Sequence, residues 1–206
     1  MFHETPKSIK TRMRELEQID ARDRADGTPH KRRLRQISPD VGRFIAILAA
    51  SAPNGHYIEI GTGAGYSTMW LSLGCRAIGR RITTFEILDE KVQLARKTIN
   101  SSGISDVVEL VHGDAVRHLS KYEDVAFCFL DCDKEVYKAC YELIVPRMVA
   151  GGILVADNAI SHQSALRTLT DRALKDDRVD ALVVPIGTGE LVCRRKSHSD
   201  LTSRER

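Results

Sequence analysis

Residues 57–67, YIEIGTGAGYS, constrain this chain more than any other stretch. An apolar run from Tyr57 to Ile60 meets three glycines at alternate positions, Gly61, Gly63 and Gly65, and helical periodicity follows from about Ser67. Strand, glycine turn and helix in that order open a nucleotide-type binding unit. The glycines let the backbone turn sharply and let a ligand approach closer than a Cβ permits. The free N–H groups of the following helix face that ligand. The dinucleotide fingerprint G-x-G-x-x-G needs glycine where Tyr66 stands. The spacing here is instead E-x-G-x-G-x-G, with Glu59 two residues ahead of the first glycine. A glycine turn of a generic α/β protein is the bland alternative.

The rest of the chain alternates in the same way. Strands are predicted at 57–60, 81–85, 107–111, 125–130 and 153–156, with helices at about 67–73, 89–100, 134–145 and 164–175 and a short one after Asp114. Two last strands, 181–185 and 190–194, flank Ile186-Gly187-Thr188-Gly189 and read as a hairpin. Such alternation implies an α/β fold, a doubly wound, mostly parallel seven-stranded Rossmann-like sheet closed by an antiparallel hairpin. Ahead of it stand two helical patterns. The first, 6–24, carries Ile9, Met13, Leu16 and Ile19 on one face. The second starts at Ser38-Pro39, a cap and first-turn proline, and turns Val41, Phe44, Ile45, Leu48 and Ala49 inward. Residues 1–54 are read as a helical preface, 55–196 as the α/β unit and 197–206 as a disordered polar tail.

Each of the first five strands delivers glycine or an acid to its carboxyl end: the three glycines, Glu86, Asp114, Asp131 and Asp157-Asn158. Open α/β sheets bind ligands at that edge. Glu86 can accept both hydroxyls of a ribose, and Asp114 an adenine amino group or else the first N–H groups of a helix. With no pyrophosphate pattern, the site suits an adenosyl ligand. Asp131, Asp157 and Asn158 are hard oxygen donors that suit Mg²⁺, Mn²⁺ or Ca²⁺ rather than zinc. Lys134 follows Asp131 by three residues, within reach of the same site; an ordinary surface lysine is the alternative.

FLDCDKEVY followed by GGILVADNA, with the E-x-G-x-G-x-G turn before them, resembles the class I S-adenosylmethionine-dependent methyltransferases, and within them the cation-dependent O-methyltransferases of the catechol and caffeoyl-CoA type in their bacterial form. The resemblance spans about residues 37–196. It implies that Glu59, Gly61, Thr62, Gly63, Gly65, Ser67, Glu86, Ile87, Gly113, Asp114, Ala115 and Asp131 frame S-adenosylmethionine. It implies that Asp131, Asp157 and Asn158 hold Mg²⁺ or a similar ion. Lys134, with Asp131 beside it, would take the proton from one hydroxyl of an aromatic diol, whose oxygen then attacks the methyl carbon. It also implies a homodimer. One departure stands out: only Ala159 to Gln163 separate the fifth strand from the next helix, where relatives carry a longer insertion. His162, Arg43 and the basic run at 31–35 are the acceptor-side candidates.

Composition bounds the alternatives. A hydrophobic content of 42% is ordinary for a globular chain. No apolar run is long enough to span a membrane, and MFHETPKSIK lacks a secretory core. Five scattered cysteines without a C-x-x-C pair read as reduced thiols of a cytoplasmic protein. Net charge is +3, and residues 1–36 carry ten Lys/Arg against six Asp/Glu. A solvated loop is the preferred reading of the basic run over a nucleic-acid contact, since no aromatics interleave it. The rival functions are a methyltransferase acting on RNA or protein, an adenosyl-binding module without chemistry, and a dehydrogenase, the last disfavoured by Tyr66.

Overall fold

The structure is a computed structural model and describes residues 2–29 and 32–197. Seven strands form one sheet: β1 (His56–Ile60), β2 (Ile82–Glu86), β3 (Val108–His112), β4 (Val125–Leu130), β5 (Met148–Ala156), β6 (Val179–Val184) and β7 (Glu190–Arg195). Their order is β3-β2-β1-β4-β5-β7-β6. The pairs from β3 through β5 are parallel, whereas β7 is antiparallel to both β5 and β6. The hairpin therefore folds back, so that its second strand, not its first, lies against β5 and its first forms the sheet edge.

Helices α1 (Lys7–Ala25), α2 (Pro39–Ser51), α3 (Tyr66–Ala77), α4 (Asp89–Ser102), α5 (Tyr137–Ile144) and α6 (Gln163–Leu174) cover the two faces. The expected faces are the buried ones: Ile9, Met13 and Leu16 on α1, and Val41, Ile45 and Ala49 on α2. Both helices share one core with Tyr57, Met69, Trp70, Phe127 and Val155. The opposite core gathers Ile58, Leu130, Tyr141, Leu154 and Leu191. Ser38 accepts the Val41 N–H at 3.3 Å, and Pro39 occupies the first turn as the sequence suggests.

Several boundaries differ from the periodicity for physical reasons. Glu86 is the last residue of β2, where its pairing with His112 extends the ladder. The expected helix at 134–145 is a single tight turn (Lys134–Val136), then α5, then another turn holding Pro146. The short helix after Asp114 is likewise two single turns. β5 starts five residues early because Val125 pairs with Met148 while Phe127 pairs with Ile153. The bulge between them needs Gly151 at φ +80°. The expected tail, from residue 198 on, and His30 and Lys31 of the basic run lie outside the described residues.

α2 and α3 touch through their backbones. A Cβ on Gly74 would lie 2.4 Å from the Ala46 carbonyl oxygen, and one on Gly42 would lie 2.3 Å from the Trp70 ring. Gly74→Ala should therefore force the two helices apart and cost about 1–3 kcal/mol. Urea denaturation tests this, and an unchanged midpoint would show that the helices separate freely.

Candidate active site

The turn after β1 is held from beneath. Glu59 is fully buried and accepts hydrogen bonds from Ser67 (2.5 Å), Thr68 (2.6 Å) and Thr84 (2.6 Å). Burial pushes its carboxyl up to about 7, against the pull of those three hydroxyls. It ties β1, β2 and the first turn of α3 together. Gly65 opens α3 at φ +87°, and a Cβ there would crowd Thr98 of α4 at 3.1 Å. Neither Glu59 nor Gly65 lines the cleft; both shape its wall from behind.

The cleft itself has a volume of about 500 Å³ at the carboxyl ends of β1, β2, β4 and β5. Among the sequence-predicted residues, Gly61, Thr62, Gly63, Ser67, Glu86, Ile87, Gly113, Asp114, Ala115, Asp131, Lys134, Asp157 and Asn158 all line it. Gly63 sits at φ +55°, and a Cβ there would meet no protein atom, leaving open space for a ligand against its backbone. Glu86 takes the N–H groups of Ile87 and Leu88 on one oxygen, both at 2.9 Å, and that of Gly63 on the other at 2.8 Å. Each oxygen has two lone pairs, so the second oxygen keeps one to offer a hydroxyl. Asp114 accepts the Val116 N–H at 3.0 Å as a cap and also lines the cleft.

The floor of the cleft is polar. Lys134 Nζ donates to Tyr137 Oη (2.8 Å), to the Cys132 carbonyl (3.1 Å) and to Asp131 (3.3 Å). Tyr137 Oη in turn donates to the Leu130 carbonyl at 3.1 Å. Burial, and then the neighbouring Asp157 charge, push Asp131 up to about 6. Asp157 accepts the Asn158 N–H and the Thr188 hydroxyl on the same oxygen. Asn158 adopts φ +71° and donates through its amide nitrogen to Thr188 at 2.9 Å, which leaves its amide oxygen unengaged. Among the described residues no three His, Cys, Asp or Glu side chains converge as a metal cage. The oxygen set here is two carboxylates and an amide.

One residue at this floor carries no sequence signal beyond the start of a strand. Leu191 pairs with Ala156 across β7 and β5, so Glu190 stands opposite Asp157 in the same ladder. Glu190 is fully buried, and neither carboxyl oxygen has a donor. Desolvation, followed by the charges of Asp157 and Asp131, pushes it up to about 10.

The acceptor-side candidates separate cleanly. His162, Arg33 and Arg35 line the cleft. Arg43 does not; it pairs with Asp40 and lies 5.6 Å above the Trp70 ring. The short loop after Asn158 is clamped to the β6–β7 turn, with Ala159 donating to Gly189 (2.8 Å), and Ile160 and Ser161 to Thr188 (3.1 and 2.9 Å).

The Glu190 shift makes stability depend on pH. Its raised folded value means that the contribution is fully present below about pH 4.3, the unfolded value, and is lost as pH rises through 10. Glu190→Gln, which cannot ionise, should match the wild type near pH 4 and melt progressively higher from pH 5 to 8 in EDTA. The gap widens by at most about 1.4 kcal/mol per pH unit. A gap that is constant with pH would rule out a titrating Glu190.

Comparisons with known proteins bear on the whole chain. The O-methyltransferase family model matches residues 10–196. A catechol O-methyltransferase of Mycobacterium tuberculosis is 32% identical over 126 residues, 60% of this chain and 57% of that protein. A caffeoyl-CoA O-methyltransferase of Zea mays is 26% identical over 208 residues, 89% of this chain and 76% of that protein. Among solved structures, an O-methyltransferase of Bacillus cereus in complex with SAH superposes with a TM-score of 0.75 at 26% identity, covering 90% of this chain and 91% of that one. No helix among the described residues is long and apolar enough to cross a membrane. With its sheet order, its glycine turn and its polar floor at one edge, the chain belongs to the O-methyltransferase family.

Proposed function

We propose that this chain transfers the methyl group of S-adenosylmethionine to one hydroxyl of a catechol-like small molecule, with a divalent cation at the cleft floor. The observation that carries this reading is a single juxtaposition. The cleft that opens on Gly63 and Glu86 ends at Lys134, Asp131, Asp157 and Asn158. The names of the relatives, catechol and caffeoyl-CoA O-methyltransferases, supply the acceptor class. In this reading residues 55–196 carry the chemistry, residues 1–54 cap the cleft, and two copies assemble.

The residues present fit both absent groups. The open space over Gly63 suits an adenosyl ligand, and the spare lone pair of Glu86 suits one ribose hydroxyl rather than the two the sequence suggests, because three backbone N–H groups take the others. S-adenosylmethionine supplies the electrophilic methyl when bound. Asp131, Asp157 and Asn158 suit a hard divalent ion: the two acids repel one another, Lys134 is the one cation in ion-pair contact with either among the described residues, and the amide oxygen is free. Such an ion supplies positive charge for two vicinal oxygens and eases loss of a hydroxyl proton.

The chain's own groups do the rest. Lys134 Nζ, positioned by three acceptors, takes the hydroxyl proton in its neutral amine form, which gives up one of these three bonds and frees a lone pair for the reacting hydroxyl. Tyr137 orients it and is itself anchored to the β4 backbone. Thr188 fixes both Asp157 and Asn158 from the β6–β7 turn. Holding donor and acceptor in line supplies most of the acceleration.

Transfer of labelled methyl to a panel of catechols should occur with Mg²⁺ and stop with EDTA. Asp157→Ala should abolish that transfer while S-adenosylmethionine still binds; full activity in the variant would remove the cation assignment. Glu86→Ala should weaken cofactor binding by about 1.5–3 kcal/mol, the range for a hydrogen bond to a charged group. Calorimetry checks it, and an unaltered affinity would end its ribose role.

A further inference from the structure

The basic run left without a role by the reaction returns at the mouth of the cleft. Residues 33–35 cross it as a strap between α1 and α2. Three side chains hold this strap. Asp23 accepts the Leu34 N–H (3.3 Å), Asp20 accepts the Arg35 N–H (3.1 Å), and Lys91 donates to the Arg33 carbonyl (2.9 Å). Asp20 and Lys91 are buried at 8% and 7% exposure, so polar groups have been taken out of water to make these contacts. Arg35 itself adopts φ +52°, a left-handed conformation that residues other than glycine rarely take and that persists only where surroundings enforce it.

What this arrangement presents is a guanidinium. Arg24 is tied to Asp20 and the Arg33 Nε to the Thr28 carbonyl. The Arg35 side chain has no hydrogen bond or ion pair among the described residues, yet it lines the cleft. Its charge acts on both Asp131 at the floor and Lys91 at the wall of the cleft. A planar fork of donors on a backbone anchored at the cleft matches a carboxylate or phosphate in two-point contact.

The geometry points to an acceptor that carries an anionic group beside its hydroxyls, read by Arg35 as the specificity-determining residue. This rests on the methyl-transfer reading above and narrows it to small aromatic acids or phosphate esters.

The test compares kcat/KM for protocatechuate, for the uncharged protocatechualdehyde and for a dihydroxybenzyl phosphate, in wild type, Arg35→Gln and Arg35→Lys. Binding of SAH to each protein is measured alongside. The wild type should favour one of the two anions over the aldehyde by about 10- to 100-fold, the worth of a charged hydrogen bond. Arg35→Gln should collapse that ratio towards one, and Arg35→Lys, which keeps the charge but not the fork, should fall between. The better anion identifies the class. An equal ratio in wild type and Arg35→Gln overturns the proposal and leaves the methyl-transfer reading standing. So does a loss confined to SAH affinity, which would assign Arg35 to the cofactor's own carboxylate. If no diol is methylated, equilibrium binding of the two anions to SAH-loaded protein decides. Binding that Arg35→Gln weakens upholds the anion subsite and retires the diol; binding indifferent to Arg35 overturns it.

Discussion

Everything at the cleft depends on the register of three neighbouring parallel strands. Ile60, Leu130 and Ala156 are partners across β1, β4 and β5, so the next residues, Gly61, Asp131 and Asp157, leave the sheet side by side. Parallel pairing is what permits this, because every strand then ends at the same edge. β7 extends the row from the opposite direction and brings Glu190 to it. Asp131, Asp157 and Glu190 therefore follow one another along the edge of the sheet, with Lys134 paired to the first of them. A slip of one residue in β4 or β5 would turn Asp131 or Asp157 to the other face and dismantle the site.

The supports of this row are themselves polar and shared. Glu59 joins β1, β2 and α3 through three hydroxyls, and Thr188 joins the β6–β7 turn to both Asp157 and Asn158. Each such hub satisfies buried groups that would otherwise be costly, and each fixes an angle between elements. Glu190 is the exception. It has no donor, and a neutral carboxyl answers that shortage.

Much of this was legible in the sequence because the relevant signals are local. Alternation of strand and helix gives the order of elements, and the acids at strand ends name the floor. Ser38-Pro39 marks the start of α2 to the residue. What escaped is what depends on pairing. Glu190 looks like any strand residue until β7 is laid beside β5. Glu59 looks like a ligand contact until its three hydroxyl partners are seen behind the wall. The basic run could be weighed only as charge; that Arg33 and Arg35 face the cleft while Arg43 lies over Trp70 follows from the path of the strap. The β5 bulge was hidden because Gly151-Gly152 reads as a turn.

The contact between α2 and α3 has a consequence for how the cleft admits its ligands. At Gly42 and Gly74 the two helices meet with no room for a side chain, so the end of the strap at Ser38 is rigidly referenced to the helix that follows the glycine turn. The other end, at residues 33–35, is attached by three hydrogen bonds to charged side chains, each worth about 1.5–3 kcal/mol. The strap thus has one welded end and one tied end. The loop after Asn158 is fixed in a different way, by its clamp to the β6–β7 turn.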